Sequence, residues 1–310
     1  MEVIIQLVLL IIGFVFLVKG ADWFVDGVSG IAERFGIPQL VIGLTIVAMG
    51  TSAPEAAVSI TAAFQGTADI TIGNILGSNI LNVLIILGVT AVITNVAVQE
   101  STFKVEIPFV MAITVLLLVF GVTGSEVNRM EGIVLSVVFV CFLYYLYRMA
   151  VRDRGNGEEE QEEPEPIWKL LLLTIVGIGL VVIGSDVVVD SASELALIFG
   201  MSQRFIGLTI VALGTSLPEL VTSVMAATKG KADIAIGNIV GSNIFNILFV
   251  VGITSIIIPV PYASGFIVDA LVALLAVVVL WLCLIRGRKL KRIHGIIMLA
   301  IYAVYFIYLL

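Results

Sequence analysis

Two glutamates, Glu55 and Glu219, each follow a proline inside an apolar stretch, and the residues around them nearly coincide. Gly43–Glu55 reads GLTIVAMGTSAPE and Gly207–Glu219 reads GLTIVALGTSLPE, at an offset of 164 with two differences. A second pair keeps the same offset: ADITIGNILGSNILNVL over Ala68–Leu84 and ADIAIGNIVGSNIFNIL over Ala232–Leu248. A charge held in hydrocarbon costs several kcal/mol unless it finds a partner. Two carboxylates in matched positions therefore read as a site for cations.

The neighbouring residues supply more oxygen. Pro54 cannot donate to the carbonyl of Gly50, and Pro218 leaves Gly214 in the same state. Carbonyls freed in a medium without water must bond elsewhere. Thr51 and Ser52, with Thr215 and Ser216, add hydroxyls beside each carboxylate. In the second motif Ser78 and Asn82 stand four apart and share a helix face, as do Ser242 and Asn246. None of the four segments holds His or Cys, so the donors are all hard oxygens. Such a set suits Ca2+ and Na+. It suits Mg2+ less well, because that ion gives up its water reluctantly. Small residues and a proline kink could explain one segment as mere helix packing. They do not explain two near-identical segments that each carry a carboxylate.

These motifs belong to a chain of 310 residues, 60% hydrophobic and 13% charged, with a mean hydropathy of +1.18. A soluble protein of that size needs more polar surface than this. Ten apolar runs are long enough to span about 30 Å of hydrocarbon. They lie at 4–20, 38–64, 69–96, 104–122, 131–150, 168–188, 204–228, 233–258, 265–285 and 293–309. The first run lacks a basic leader and a small-residue cleavage site, so it is expected to be a retained span rather than a signal peptide. Much of the net charge of −7 lies in Arg152–Pro166, a Glu-, Gly- and Pro-rich segment with too little apolar content to fold. Cys141 and Cys283 occupy separate runs and suggest neither a disulfide nor a metal site.

Five runs precede the polar segment and five follow. An odd number reverses the second half in the membrane, so the two homologous halves become an inverted repeat. The expected fold is an all-α polytopic membrane protein of ten transmembrane helices in two inverted five-helix repeats, residues 1–151 and 167–310. The acidic linker, 152–166, lies between them on the cytoplasmic side. With both termini outside, all sixteen Lys and Arg residues except Arg129 and Arg204 fall inside. A multi-pass protein of the cell membrane is the expected location.

Several polar residues lie outside the motifs. Asp22 and Asp26 match Asp186 and Asp190 at the same offset. They read either as ion-attracting vestibules or as solvated helix ends with capping partners. Glu106 and Asp269, near the starts of the fourth and ninth spans, are expected to meet interfacial Lys or water. His294, the single histidine, reads as a helix-end residue after the basic run Arg286–Arg292. That run is placed to touch anionic lipid. Trp23, Trp168 and Trp281 lie near the expected interfaces.

The GTSxPE and GNxxGSNxxN segments resemble the two α-repeats of the cation/Ca2+ exchanger superfamily, specifically its Na+/Ca2+ exchanger branch. The likeness covers nearly the whole chain, including the five-plus-five layout. It implies a secondary antiporter that exchanges several Na+ for Ca2+ by alternating access, with net charge movement. Carried over to this sequence, the ligands are the carboxylates of Glu55 and Glu219 and the hydroxyls or carbonyls of Thr51, Ser52, Thr215 and Ser216. The carbonyls of Ala48 and Ala212 join them, Ser78 and Ser242 complete the Na+ sites, and Asn82 and Asn246 face the centre. In the K+-dependent branch an aspartate stands at the position of Asn246, so the resemblance implies exchange that needs no K+.

The counter-ion could instead be H+, with both glutamates alternating between proton and Ca2+. An intramembrane hydrolase is disfavoured because no nucleophile or metal triad accompanies the carboxylates, and a channel because inverted halves suit rocking. The chain is therefore not expected to be an enzyme. Ca2+ and Na+ are expected as transported substrates and the bilayer as surroundings. No cofactor, nucleic acid or obligatory protein partner is expected.

Overall fold

A computed structural model of the chain describes residues 2–68, 70–152, 165–200 and 212–309. The described chain is helical apart from two short ladders. The helices are α1 (Glu2–Phe35), α2 (Gln39–Thr51), α3 (Ala53–Phe64), α4 (Ile70–Ile93), α5 (Thr102–Gly124), α6 (Arg129–Arg152) and α7 (Ile167–Ile198). The short α8 (Ala212–Gly214), α9 (Leu217–Thr228), α10 (Ala232–Ile257), α11 (Phe266–Leu284) and α12 (Arg292–Leu309) follow. Among the described residues eight helices are long and apolar enough to cross a membrane, or nine if α2 and α3 form one bent span. The run expected at 204–228 begins outside the described residues, and α8 and α9 are its described part.

Two expected spans stop too early. α1 continues past 20 to Phe35, and α7 continues past 188 to Ile198. Charge in the second half of α1 ends the hydropathy signal without ending the helix. Lys229 pairs with Asp22 at 2.6 Å and Asp26 at 2.7 Å, and Lys231 pairs with Glu33 at 2.6 Å. These ion pairs fasten the acidic face of α1 to the end of α9. Asp22 and Asp26 thus lie inside α1 rather than at its end, and both are engaged by Lys229. α1 and α7 press together along their length. A Cβ on Gly177 would lie 2.5 Å from the Phe24 nitrogen and 2.8 Å from the Gly20 carbonyl, so only glycine permits that approach.

The centre of the molecule is built by α4 and α10. Every residue from Ile234 to Phe245 is buried, which agrees with a helix whose apolar and polar residues all face protein. Each of the two contains a π-helical turn, Asn82–Leu87 and Asn246–Val251, at the same offset of 164. The outer helices reverse the pattern, with large apolar side chains such as Ile11, Val137, Val140 and Leu275 exposed. This is the surface that lipid requires and water would not tolerate.

Two antiparallel ladders join the halves. Strand β1 (Val96–Ala97) pairs with β4 (Lys289–Leu290), and β2 (Glu126–Val127) pairs with β3 (Val260–Pro261). Each ladder takes one strand from either side of the linker.

Candidate ion-binding site

The span holding the first motif is broken. α2 and α3 meet at 51°, with Ser52 at φ −84°, ψ 9° between them. Proline is tolerated in the first turn of a helix, where its missing N–H is not needed, so Pro54 starts α3 rather than kinking a continuous helix. The second copy repeats this, with Ser216 at φ −92°, ψ 4° and Pro218 in the first turn of α9. Glu55 and Glu219 thus sit in the first turns of new helices, whose exposed N–H groups favour a carboxylate. Both side chains are 1% exposed.

Serine three residues before glutamate at a helix start is the signature of a capping box. Neither Ser52 nor Ser216 caps its own helix. The Ser52 hydroxyl instead donates to Glu219 Oε1 across the repeats, at 2.8 Å. Glu55 Oε1 accepts from Ser78 at 3.4 Å, within its own repeat. The other hydroxyls break the symmetry: Ser242 Oγ reaches the Ala48 carbonyl at 3.5 Å, and Ser216 Oγ has no partner among the described residues.

The freed carbonyls fare differently. Gly214, opposite Pro218, accepts from the Ser185 hydroxyl of α7 at 2.8 Å. The residue matching Ser185 in α1 is Ala21, which offers no hydroxyl to Gly50. The Ala48 carbonyl accepts from the backbone of Ser52 at 3.0 Å as well as from Ser242.

A second layer of amides holds the motifs together. Asn74 donates to Ser59 Oγ at 3.1 Å and to the Glu55 carbonyl at 3.3 Å. Asn238 does the same to Ser223 Oγ at 2.9 Å and the Glu219 carbonyl at 3.4 Å. Thr51 Oγ1 lies 3.0 Å from Asn238 Oδ1 and 3.1 Å from the Val47 carbonyl, and its one proton can serve only one of them at a time. Gly43 and Gly237 allow this proximity, since a Cβ on Gly237 would stand 3.0 Å from the Gly43 Cα.

At the centre, four asparagines bond reciprocally. The Asn79 amide donates to the Asn243 backbone carbonyl at 3.4 Å, and the Asn243 amide to the Asn79 carbonyl at 3.3 Å. The Asn82 amide donates to Asn243 Oδ1 at 3.0 Å, and the Asn246 amide to Asn79 Oδ1 at 3.1 Å. Such exchange is what a local two-fold relation between α4 and α10 produces.

The fold therefore gathers Glu55, Glu219, Ser52, Ser216, Thr51, Ser78, Ser242, Asn82 and Asn246, all buried. Thr215 is half-buried at the second break, and Ala212 lies in α8 just before it. Four further asparagines, Asn74, Asn79, Asn238 and Asn243, join the site beyond the residues expected from the sequence. Asn74 was accessible to the four-residue spacing that selected Ser78 and Asn82. Asn79 was not, because it lies on a different face of the helix, and only packing between repeats gives it a role.

Four buried acceptors in matched pairs find no hydrogen-bond donor among the described residues: Glu55 Oε2 with Glu219 Oε2, and Asn82 Oδ1 with Asn246 Oδ1. Buried polar atoms are seldom left so. Hard oxygens arranged in this way fit desolvated alkali or alkaline-earth cations.

Glu106 and Asp269 do not meet lysine. Glu106 accepts from the Tyr145 hydroxyl, and Asp269 from Tyr305 at 2.7 Å, so in each half a tyrosine of the next helix holds the carboxylate. Trp281 stacks on Phe103 at 5.4 Å, within the protein as well as near its rim.

Comparison with known proteins identifies the family. The profile of the family described as sodium/calcium exchanger protein matches residues 5–148 and 169–310. The candidate antiporter CaxA of Alkalimonas amylolytica is 42% identical, over 93% of this chain and 92% of its own. The sodium/calcium exchanger MaX1 of Methanosarcina acetivorans is 33% identical, over 98% of each. A structure of the sodium-calcium exchanger NCX_Mj, soaked with zero Na+ and Ca2+, superposes with a TM-score of 0.86 at 31% identity, covering 99% of this chain and all of that one. This chain belongs to the sodium/calcium exchanger family, and it is an all-helical, multi-pass membrane antiporter of Ca2+ and a counter-cation.

Proposed function

We propose that the protein exchanges Na+ for Ca2+ by alternating access, with the ions held between Glu55 and Glu219. The observation that carries this reading is the matched set of unpartnered oxygens, Glu55 Oε2, Glu219 Oε2, Asn82 Oδ1 and Asn246 Oδ1. Ser52, Ser78, Ser216, Ser242, Thr51 and Thr215 supply hydroxyls around them, and Ala48 and Ala212 their carbonyls. Na+ and Ca2+ would compete for these atoms, so each excludes the other. Two carboxylates without cations would be costly to carry across a low-dielectric barrier, and this limits leak. More than two Na+ per Ca2+ would make the cycle electrogenic.

In this reading ten spans form two inverted repeats, 1–151 and 167–310, in the cell membrane, with the 152–166 linker cytoplasmic and both termini outside. The bias of Lys and Arg supports that orientation. An impermeant thiol reagent labelling Gly155→Cys from outside intact cells would reverse it.

The counter-ion is tested in proteoliposomes by Ca2+ uptake under imposed Na+, K+ or H+ gradients. Uptake driven by Na+ alone is expected. Uptake driven only by H+ would replace Na+ with a proton shared by the same two glutamates.

A further inference from the structure

At one end of the molecule the turn between α11 and α12 opens a crevice of about 550 Å3, within the range of about 300–1,000 Å3 typical of small-ligand pockets. Its walls include Leu282, Ile285 and Ile297, which are also exposed on the apolar outer surface, and its rim carries Arg286 and His294. The crevice is thus continuous with the lipid-facing side of the protein and cationic where that side ends.

The basic rim is not a requirement of the fold, because the other repeat builds the same turn without it. Near this turn the offset between repeats is 163, and Ser125 and Arg288 share the left-handed conformation, with φ of 57° and 48°. Lys289 takes the place of Glu126, Lys291 that of Asn128, and Arg286 that of Thr123. Among the charged residues of the two turns, Arg129 and Arg292 occupy matching positions. Both bond a backbone carbonyl of the opposite half, Arg129 that of Ile257 at 3.3 Å and Arg292 that of Val92 at 3.0 Å.

His294 gives the clearest sign. In the first repeat Glu131 caps its helix by accepting from the Asn128 backbone at 2.8 Å. At the matching place His294 Nδ1 accepts from the Lys291 backbone at 3.2 Å. A glutamate serves this cap well and would bring a negative charge to the helix start, where it is favoured. A histidine holds the cap with one nitrogen and leaves Nε2–H as a donor. Arg288 is occupied by Glu100 at 2.8 Å. Arg286, Lys289 and Lys291 have no side-chain partner among the described residues, so their charge is available to a ligand.

We propose that this crevice binds one anionic phospholipid, with an acyl chain against Leu282, Ile285 and Ile297 and the phosphate held by Arg286 and His294. Clustered cations at a membrane boundary attract anionic headgroups, and the apolar walls select the lipid over a soluble anion. The inference stands apart from the transport reading, and its test does not depend on transport.

The test is native mass spectrometry of the purified full-length chain after incubation with equimolar phosphatidylglycerol and phosphatidylcholine of the same acyl composition. A single bound phosphatidylglycerol, preferred by about tenfold, is expected. The preference should vanish in Arg286→Gln/His294→Glu, in which the new glutamate keeps the cap as Glu131 does. If that variant aggregates, Arg286→Gln with Lys289→Glu leaves the cap intact and should lose the preference likewise. Equal retention of both lipids by the parent, an unchanged preference in a folded variant, or displacement by inorganic phosphate would each overturn the proposal.

Discussion

The Ser52 hydroxyl donates to Glu219 Oε1 at 2.8 Å, joining residues 167 positions apart in the chain. The matching pair, Ser216 with Glu55, does not form, and Ser216 Oγ has no partner among the described residues. The two repeats are nearly identical in sequence here but hold their carboxylates differently. Glu219 is secured from the opposite repeat, and Glu55 by Ser78 from its own. A site built from near-identical segments thus holds its two carboxylates unequally.

The asymmetry can be measured. In ion-free buffer, Ser52→Ala should destabilise the protein by about 1.5–3 kcal/mol, the usual worth of a hydrogen bond to a charged group. Ser216→Ala should cost much less. Thermal unfolding of both variants in detergent checks this, and equal shifts would mean that the contrast between the repeats carries no energy.

Replacing either glutamate should stop exchange. Glu55→Gln and Glu219→Gln each remove a full charge from the cation's shell, and a neutral amide does not balance it at that depth. Na+-driven Ca2+ uptake should fall by at least ~100-fold, equivalent to about 2.7 kcal/mol, while the elution profile stays that of folded protein. Near-normal uptake by either variant would move the site elsewhere.

Potassium should have no effect. Asn246 donates to Asn79 Oδ1, and Asn82 to Asn243 Oδ1, so the centre holds amides rather than a third carboxylate. Replacing K+ by choline on both sides should leave Ca2+ flux unchanged, and loss of flux would refute the assignment. Asn246→Asp would set a carboxylate against the Asn79 oxygen and add a buried charge. Flux should then slow by roughly tenfold, about 1.4 kcal/mol, or become sensitive to K+.

Lys229 should tie α1 to α9 across a broad range of pH. Burial alone would lower the pKa of its ammonium, but Asp22 and Asp26 more than offset this and hold it above the usual lysine value. A raised lysine pKa contributes stability that is fully present below the unfolded value of about 10.4 and is lost as pH rises through the folded one. The pairs are partly exposed, so Lys229→Met should cost only about 0.5–1 kcal/mol. The difference in unfolding temperature between parent and variant should stay constant from pH 6 to 9 and shrink well above 10.

What the sequence determined by itself rests on two properties that need no tertiary contact. Hydropathy marks the segments that lipid can accept, and the repetition of Gly43–Glu55 as Gly207–Glu219 marks the carboxylates too costly to be incidental. The prolines also foretold a break, because losing the N–H is a local effect. Other features depended on the third dimension. Asp22 and Asp26 ended the hydropathy signal of α1, yet Lys229, more than two hundred residues away, keeps the helix going. The carbonyl freed by Pro218 found Ser185 on another helix. Asn79 faces away from the serine and asparagine that spacing selects, and it matters only because α10 presents Asn243 and Asn246 to it. Periodicity reports which residues share a face of one helix. Which faces meet, and whether a polar atom finds a partner there, is decided by packing between segments far apart in the chain.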